Sequence, residues 1–203
     1  MNQGEIKHTQ RRIGVDDDGD WGRLSTEGAK RHLIKIAGSA RNRFPTQKAV
    51  RAGRSVYGRR GSYEWETPDY SPPGKKIRLP FVIYYEGKPV SWLEPHEACA
   101  DAFLGSFQRL AQAFPTMEER RAAGILTYDG LYNARPIRGG SVPSMHSYRC
   151  AIDLDAGRNG NASHWPIRSK MPIEVFECFA AEGILSAGVF WSRDGMHNQA
   201  TSF

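Results

Sequence analysis

The chain has 203 residues, with 28 Lys or Arg against 22 Asp or Glu and a formal net charge of +6. At 39% apolar and 25% charged it carries enough apolar side chain to offset chain entropy, which excludes disorder over most of its length. No run of about 18 apolar residues occurs, so no membrane-spanning helix is expected. Met1 to Gln10 lacks the apolar stretch of a secretory signal.

The chain reads in three parts: 1–37, 38–75 and 76–203. In the first, Val15 to Gly22 (VDDDGDWG) is a turn-rich acidic loop. Ser25 reads as the N-cap of a short helix over 26–36, with Ala29, Leu33 and Ile36 at helical spacing. Asp16, Asp18 and Asp20 alternate as calcium ligands do, and Glu27 stands twelfth counted from Asp16. The sixth position is Trp21, where a calcium loop needs Gly for its sharp turn, so calcium is not expected.

From Gly38 to Tyr63 come seven basic residues, Arg41, Arg43, Lys48, Arg51, Arg54, Arg59 and Arg60, and no acid. Without those seven, 21 basic residues face 22 acidic ones, so the positive excess is local. Glycines punctuate the run and TPDYSPPG (67–74) follows. Residues 38–75 therefore read as a flexible basic linker. It is either a solvated connector or a tether to a polyanion, nucleic acid or an anionic envelope. Aromatic residues are sparse there, so nucleic acid is not the expected partner.

Residues 76–203 carry the main fold. Ile77 to Tyr85 (IRLPFVIYY) has strand composition. Pro95 suits the first turn of a helix in which Cys99, Phe103, Phe107, Leu110 and Phe114 form an apolar stripe ending at Pro115. Residues 125–128 and 150–155 read as strands, the latter with Ile152 and Leu154 on one face and Ala151 and Asp153 on the other. Another helix starts at Pro172, and Ala187 to Trp191 (AGVFW) reads as a closing strand. That order predicts an α+β fold, a small antiparallel sheet with flanking helices. Cys99, Cys150 and Cys178, odd in number and without paired spacing, read as buried free thiols.

The chemistry lies in the last third. His146, Asp153 and His197 are candidate metal ligands. A carboxylate on so apolar a strand needs a partner. The loop carrying His146 can fold back to it, and His197 follows the last predicted strand. Two imidazoles and a carboxylate with an open position suit a catalytic zinc. Asp194, three residues before His197, is placed to serve as a general base. His8, His32, His96 and His164 read as ordinary surface or core histidines.

Two stretches resemble a known family. SMHSYRCAID (144–153) is similar to the SxHxxGxAxD signature of the zinc D-alanyl-D-alanine carboxypeptidases, D,D-dipeptidases and L-alanyl-D-glutamate endopeptidases. WSRDGMH (191–197) resembles that family's closing motif, and YNARPIRGG (132–140) its Tyr-Arg-Pro region. The resemblance covers roughly residues 76–203 and implies a Hedgehog/D,D-peptidase-like fold. It implies His146, Asp153 and His197 as Zn2+ ligands and Asp194 as catalytic base. Arg135, or Arg138 in its place, is then the cation for an oxyanion or a substrate carboxylate. Ser144 either orients the ligand loop or binds substrate. One position departs: Arg149 stands where the family has Gly, and an Arg there is strained if the Gly serves a positive φ.

Upstream, IGVDDDGDWGRLSTEGAKRHL (13–33) resembles the DGxxGxxTxxA core of peptidoglycan-binding modules, at Asp18, Gly19, Gly22, Thr26 and Ala29. Few residues precede it, so a truncated module is expected. Together the resemblances imply a bacteriophage endolysin-like hydrolase, a zinc metallopeptidase cutting peptidoglycan stem peptides. Such a chain is made in the cytoplasm without a signal peptide and reaches the wall after release. The alternative is a non-catalytic wall-binding or virion structural protein that keeps the fold.

Overall fold

Asn2 and Glu5 form a reciprocal capping box, and Gly14, at φ 72°, supplies the left-handed stop. Between them α1 (Gln3–Ile13) forms in the computed structural model, which describes residues 1–202. No helix was expected there, because the buried face of α1 is half polar: Ile6, Thr9, Gln10 and Ile13. A helix therefore precedes the acidic loop. α2 (Arg23–Ala37) starts from Gly22, not Ser25. Ser25 lies inside the helix, buried, and accepts a hydrogen bond from Gln10. Counted strictly, the motif's Thr and Ala fall on Ser25 and Gly28 rather than Thr26 and Ala29. At Gly28 a Cβ would meet Val15 at 2.7 Å, too close for the motif's Ala unless that side chain shifts.

These two helices are docked on the rest of the chain. Leu33 and Ala29 join the common core. Arg12 grips Glu177 with two nitrogens, at 2.6 and 2.7 Å, and His32 Nε2 lies 2.7 Å from the same carboxylate. Trp21 meets Trp165 edge to face, centroids 5.1 Å apart.

Residues 38–75, expected as a flexible linker, are packed chain. Phe44, Val50, Tyr57 and Tyr63 are buried, and a short helix, α3 (Gln47–Arg51), forms behind an N-cap at Thr46. Charge and glycine content hid this, because few apolar side chains suffice when each finds a fitted site. Several of the basic groups are spent locally. Arg60 pairs with Glu66 and stacks on Tyr63, Arg43 reaches Glu182, and Arg59 lies over Tyr70.

β1 (Ile77–Tyr85) alternates buried and exposed residues and pairs with β2 (Lys88–Leu93) through a turn in which Glu86 and Gly87 both have positive φ. β2 was not anticipated. The inward row Ile77, Leu79, Phe81 and Ile83 packs on α4 (Ala100–Ala113), which follows a 3-10 turn over Glu97–Cys99. The predicted stripe is the core of α4: Phe103, Phe107 and Leu110 are fully buried. Each contributes about 1.5–3 kcal/mol of transfer free energy. Phe107 stands between Phe81 and Phe179. α5 (Met117–Ala123) opens with a capping box at Thr116 and Glu119.

The second sheet has the order β3-β4-β6-β5, every neighbour antiparallel. Its strands are β3 (Tyr128–Gly130), β4 (Ala151–Leu154), β5 (Leu185–Ser186) and β6 (His197–Gln199). α6 (Ala156–Asn159) follows β4, and α7 (Ile173–Ala180) starts after Pro172. The expected strand at 187–191 is instead a helical turn, α8 (Ala187–Phe190), between β5 and β6. A short apolar run does not reveal its period. Here Gly188 allows close packing, since a Cβ on it would meet Phe176 at 2.9 Å. The described residues thus form an α+β fold of eight α-helices and two small antiparallel sheets.

Candidate metal centre

β4 and β6 place the chemistry. Their antiparallel register sets Asp153 directly opposite His197. His146 arrives from the 3-10 turn Met145–Tyr148, whose start is capped by the Ser144 hydroxyl accepting from the His146 amide. Ser147 ties that turn to the neighbouring loop through both the amide and the carbonyl of Arg135. The turn ends at Arg149 with φ 56°, the left-handed region for which a glycine is suited. An Arg there costs roughly 1–2 kcal/mol. Its guanidinium offsets that by donating to the Glu94 carbonyl at 3.1 Å and to Ser71 Oγ at 3.0 Å, and by lying 4.2 Å over the Tyr132 ring.

The three side chains meet in the interior. His146 Nε2 lies 3.2 Å from Asp153 Oδ2 and 3.2 Å from His197 Nδ1, and His197 Nδ1 lies 2.9 Å from Asp153 Oδ1. The outer ring atoms decide the proton positions. His146 Nδ1 faces the Leu131 carbonyl at 2.9 Å, which can only accept, so that nitrogen carries the proton and Nε2 is bare. His197 Nε2 faces Gln199 Oε1 at 3.1 Å, which leaves His197 Nδ1 bare when the ring is neutral. Two nitrogen lone pairs and a carboxylate thus converge with no donor between them. Buried acceptors left so would each cost about 1–3 kcal/mol, and a cation at their junction removes that cost.

The electrostatics agree. Burial disfavours the Asp153 charge, but the two imidazoles outweigh it and hold the carboxyl below the ordinary carboxylate range. Burial likewise opposes a charged His197, yet the Asp153 contact raises its pKa overall. The junction attracts positive charge. Among the described residues, these three alone form a group of His, Cys, Asp or Glu able to hold a metal ion.

Asp194 lines the same cavity, about 650 Å³ in volume. It sits at φ 61°, and its carbonyl accepts from the His197 amide at 3.0 Å. Its Oδ1 is buried without a hydrogen-bond partner. Burial, then the nearby Asp153, push its pKa up against the pull of the imidazoles and Arg193. Arg135 and Arg138 both line the cavity. So do Arg51, Arg193 and Gln199, none of which sequence reading singled out. Gln199 lies two residues beyond His197 on β6, so the two side chains share a face of that strand. Trp191 stacks on His197 at 5.7 Å.

The other histidines lie elsewhere. His8 and His32 pair with Glu174 and Glu177, His96 is buried against Tyr57, and His164 faces the Ser192 carbonyl. All three thiols are free and buried, and burial pushes those of Cys99 and Cys178 up to about 12. No protein-family model, curated protein or solved structure matches the chain.

Proposed function

We propose that the chain is a zinc metallopeptidase, an endolysin-like hydrolase of peptidoglycan stem peptides, with a Hedgehog/D,D-peptidase-like fold over residues 76–203. One observation carries the reading. Three bare acceptors of the motif residues His146, Asp153 and His197 converge beside an unpartnered carboxylate oxygen of Asp194, in a cavity rimmed by arginines. Two imidazoles and one carboxylate, with room left on the cavity side, are a donor set suited to zinc.

When bound, zinc supplies Lewis acidity, drawing charge from a carbonyl oxygen and making water a stronger acid. The chain's own groups do the rest. Asp194 takes a proton at its free oxygen and returns it to the leaving amine, and its upward-shifted pKa suits both halves of that exchange. Arg135 or Arg138 offsets negative charge on the reacting carbonyl or on a stem-peptide carboxylate. Trp191 holds the His197 ring in plane. Residues 1–37 serve as the wall-binding unit, and the chain acts on the wall after release from the cell. Among the described residues no helix is long and apolar enough to cross a membrane.

Mass spectrometry of muropeptides, after digestion of purified walls, tests the reading. New amino termini released by the zinc-loaded chain and not by Asp194→Ala are expected. Wall binding without cleavage would point instead to a non-catalytic protein that kept the fold.

A further inference from the structure

The basic segment also reaches the metal centre. Gln47 and Arg51, both on α3, line the cavity that holds His146, Asp153 and His197. Gln47 Nε2 donates to Gln199 Oε1 at 3.0 Å, the same oxygen that faces His197 Nε2 at 3.1 Å. Gln199 Nε2 in turn donates to Thr201 Oγ1 at 2.6 Å. Gln199 is buried, and both ends of its amide are held by protein partners.

A chain of amides can run in two senses. In the sense present here, Gln199 offers His197 an acceptor. The ring then carries its proton on Nε2 and leaves Nδ1 bare beside Asp153. In the reverse sense, Gln199 offers His197 an N–H. The ring proton is forced onto Nδ1, where Asp153 Oδ1 at 2.9 Å takes it as a hydrogen bond. The first sense leaves a third donor to a metal and the second removes it. Thr201 cannot choose between them, because a hydroxyl both donates and accepts. Gln47 sets the sense present here: with its N–H turned to Gln199, it holds the Gln199 oxygen on the His197 side.

We propose that Gln47 is a positioning residue of the metal centre, which acts through Gln199 to keep His197 Nδ1 free for the ion. The proposal rests on the zinc reading above and extends it to a residue some 150 positions from its target ring, since Gln47 and Gln199 are 152 apart. It also gives the packed 38–75 segment a part in the chemistry.

The test uses the full chain and zinc alone. Zinc affinity is measured by competition with a chromogenic chelator for the unaltered protein, Gln47→Glu and Gln47→Ala. The Glu side chain only accepts, so it draws the Gln199 N–H toward itself and reverses the relay. Its added negative charge would, acting alone, tighten cation binding, so the two effects have opposite signs. Affinity falling about tenfold or more in Gln47→Glu is expected, with a smaller fall in Gln47→Ala, where Gln199 is freed to turn. Equal or tighter binding in Gln47→Glu overturns the proposal. Nitrogen-15 histidine NMR of the zinc-loaded unaltered protein supplies a readout independent of any variant. His197 must show its proton on Nε2 and the metal on Nδ1, and the opposite assignment also overturns the relay. Failure of the unaltered chain to bind zinc is a different result, which ends the metal reading itself.

Discussion

The acidic loop at 15–22 and the pocket between β4 and β6 both invite a cation, and only one is built for it. The loop has four aspartates, Asp16, Asp17, Asp18 and Asp20, while the pocket has Asp153 with two imidazoles. In the loop several acceptors are already used. Asp18 Oδ1 accepts from Gln10 Nε2 and from the Asp20 amide, Asp17 pairs with Arg11, and Gln10 Oε1 takes the Gly19 amide. Among the three pocket ligands the ring N–H donors sit on the outer nitrogens, and the inner lone pairs face each other. The number of carboxylates therefore says little about metal binding. What matters is whether the chain's own N–H groups reach the acceptors first.

Replacing a pocket ligand breaks this contrast most severely. His197→Ala or Asp153→Ala should lose stoichiometric zinc altogether, while Asp18→Ala should retain it, as metal analysis after dialysis will report. Equal zinc loss from both regions would erase the distinction. Next is Asp194→Ala, which should keep its zinc but hydrolyse muropeptides about 10²–10⁴-fold more slowly, the range for a lost general base. Full-rate cleavage by that variant would remove Asp194 from the mechanism.

Smaller effects probe the saturated side of the comparison. Gln10→Ala strips the buried donor and acceptor from the loop, and should cost about 3 kcal/mol in urea unfolding without changing zinc content. Glu177 is another carboxylate claimed by the chain itself. Burial works against its charge, but hydrogen bonds from His32 and Arg12 hold its pKa down at about 2, against 4.5 for a free carboxyl. A depressed folded-state pKa stabilises fully above 4.5, and the contribution is lost as the pH falls toward 2. Because Arg12 is part-exposed, that contribution is about 2 kcal/mol rather than the full shift. The stability gap between the unaltered protein and Glu177→Gln should therefore shrink between pH 5 and about 2. A gap that stays constant would deny the pairing any role in docking α1 and α2.

Legibility in the sequence followed the kind of signal. The Phe103–Phe107–Leu110 stripe was readable because apolar periodicity is imposed by the element itself, and β1 was readable from its β-branched and aromatic content. α1 was not, since Gln10 and Thr9 occupy its buried face, satisfied there by hydrogen bonds to Asp18, Ser25 and the Glu5 carbonyl. The 187–191 run was too short to declare a period, and 38–63 hid Phe44, Val50 and Tyr57 among arginines. At the pocket, motif spacing singled out His146, Asp153, Asp194 and His197. It could not single out Gln47 or Gln199, because an amide is indistinguishable from surface polarity until its neighbours are known.

Residue order alone determined the donor types and the strand that carries Asp153, which follow from local pattern, whereas the strand that carries His197 appeared only in the fold. The fold decided which lone pairs meet, which carboxylates are already satisfied, and which ring nitrogen stays bare. Those depend on hydrogen bonds closed between residues as far apart as Gln47 and Gln199, and a bond of that kind leaves no periodic trace along the chain.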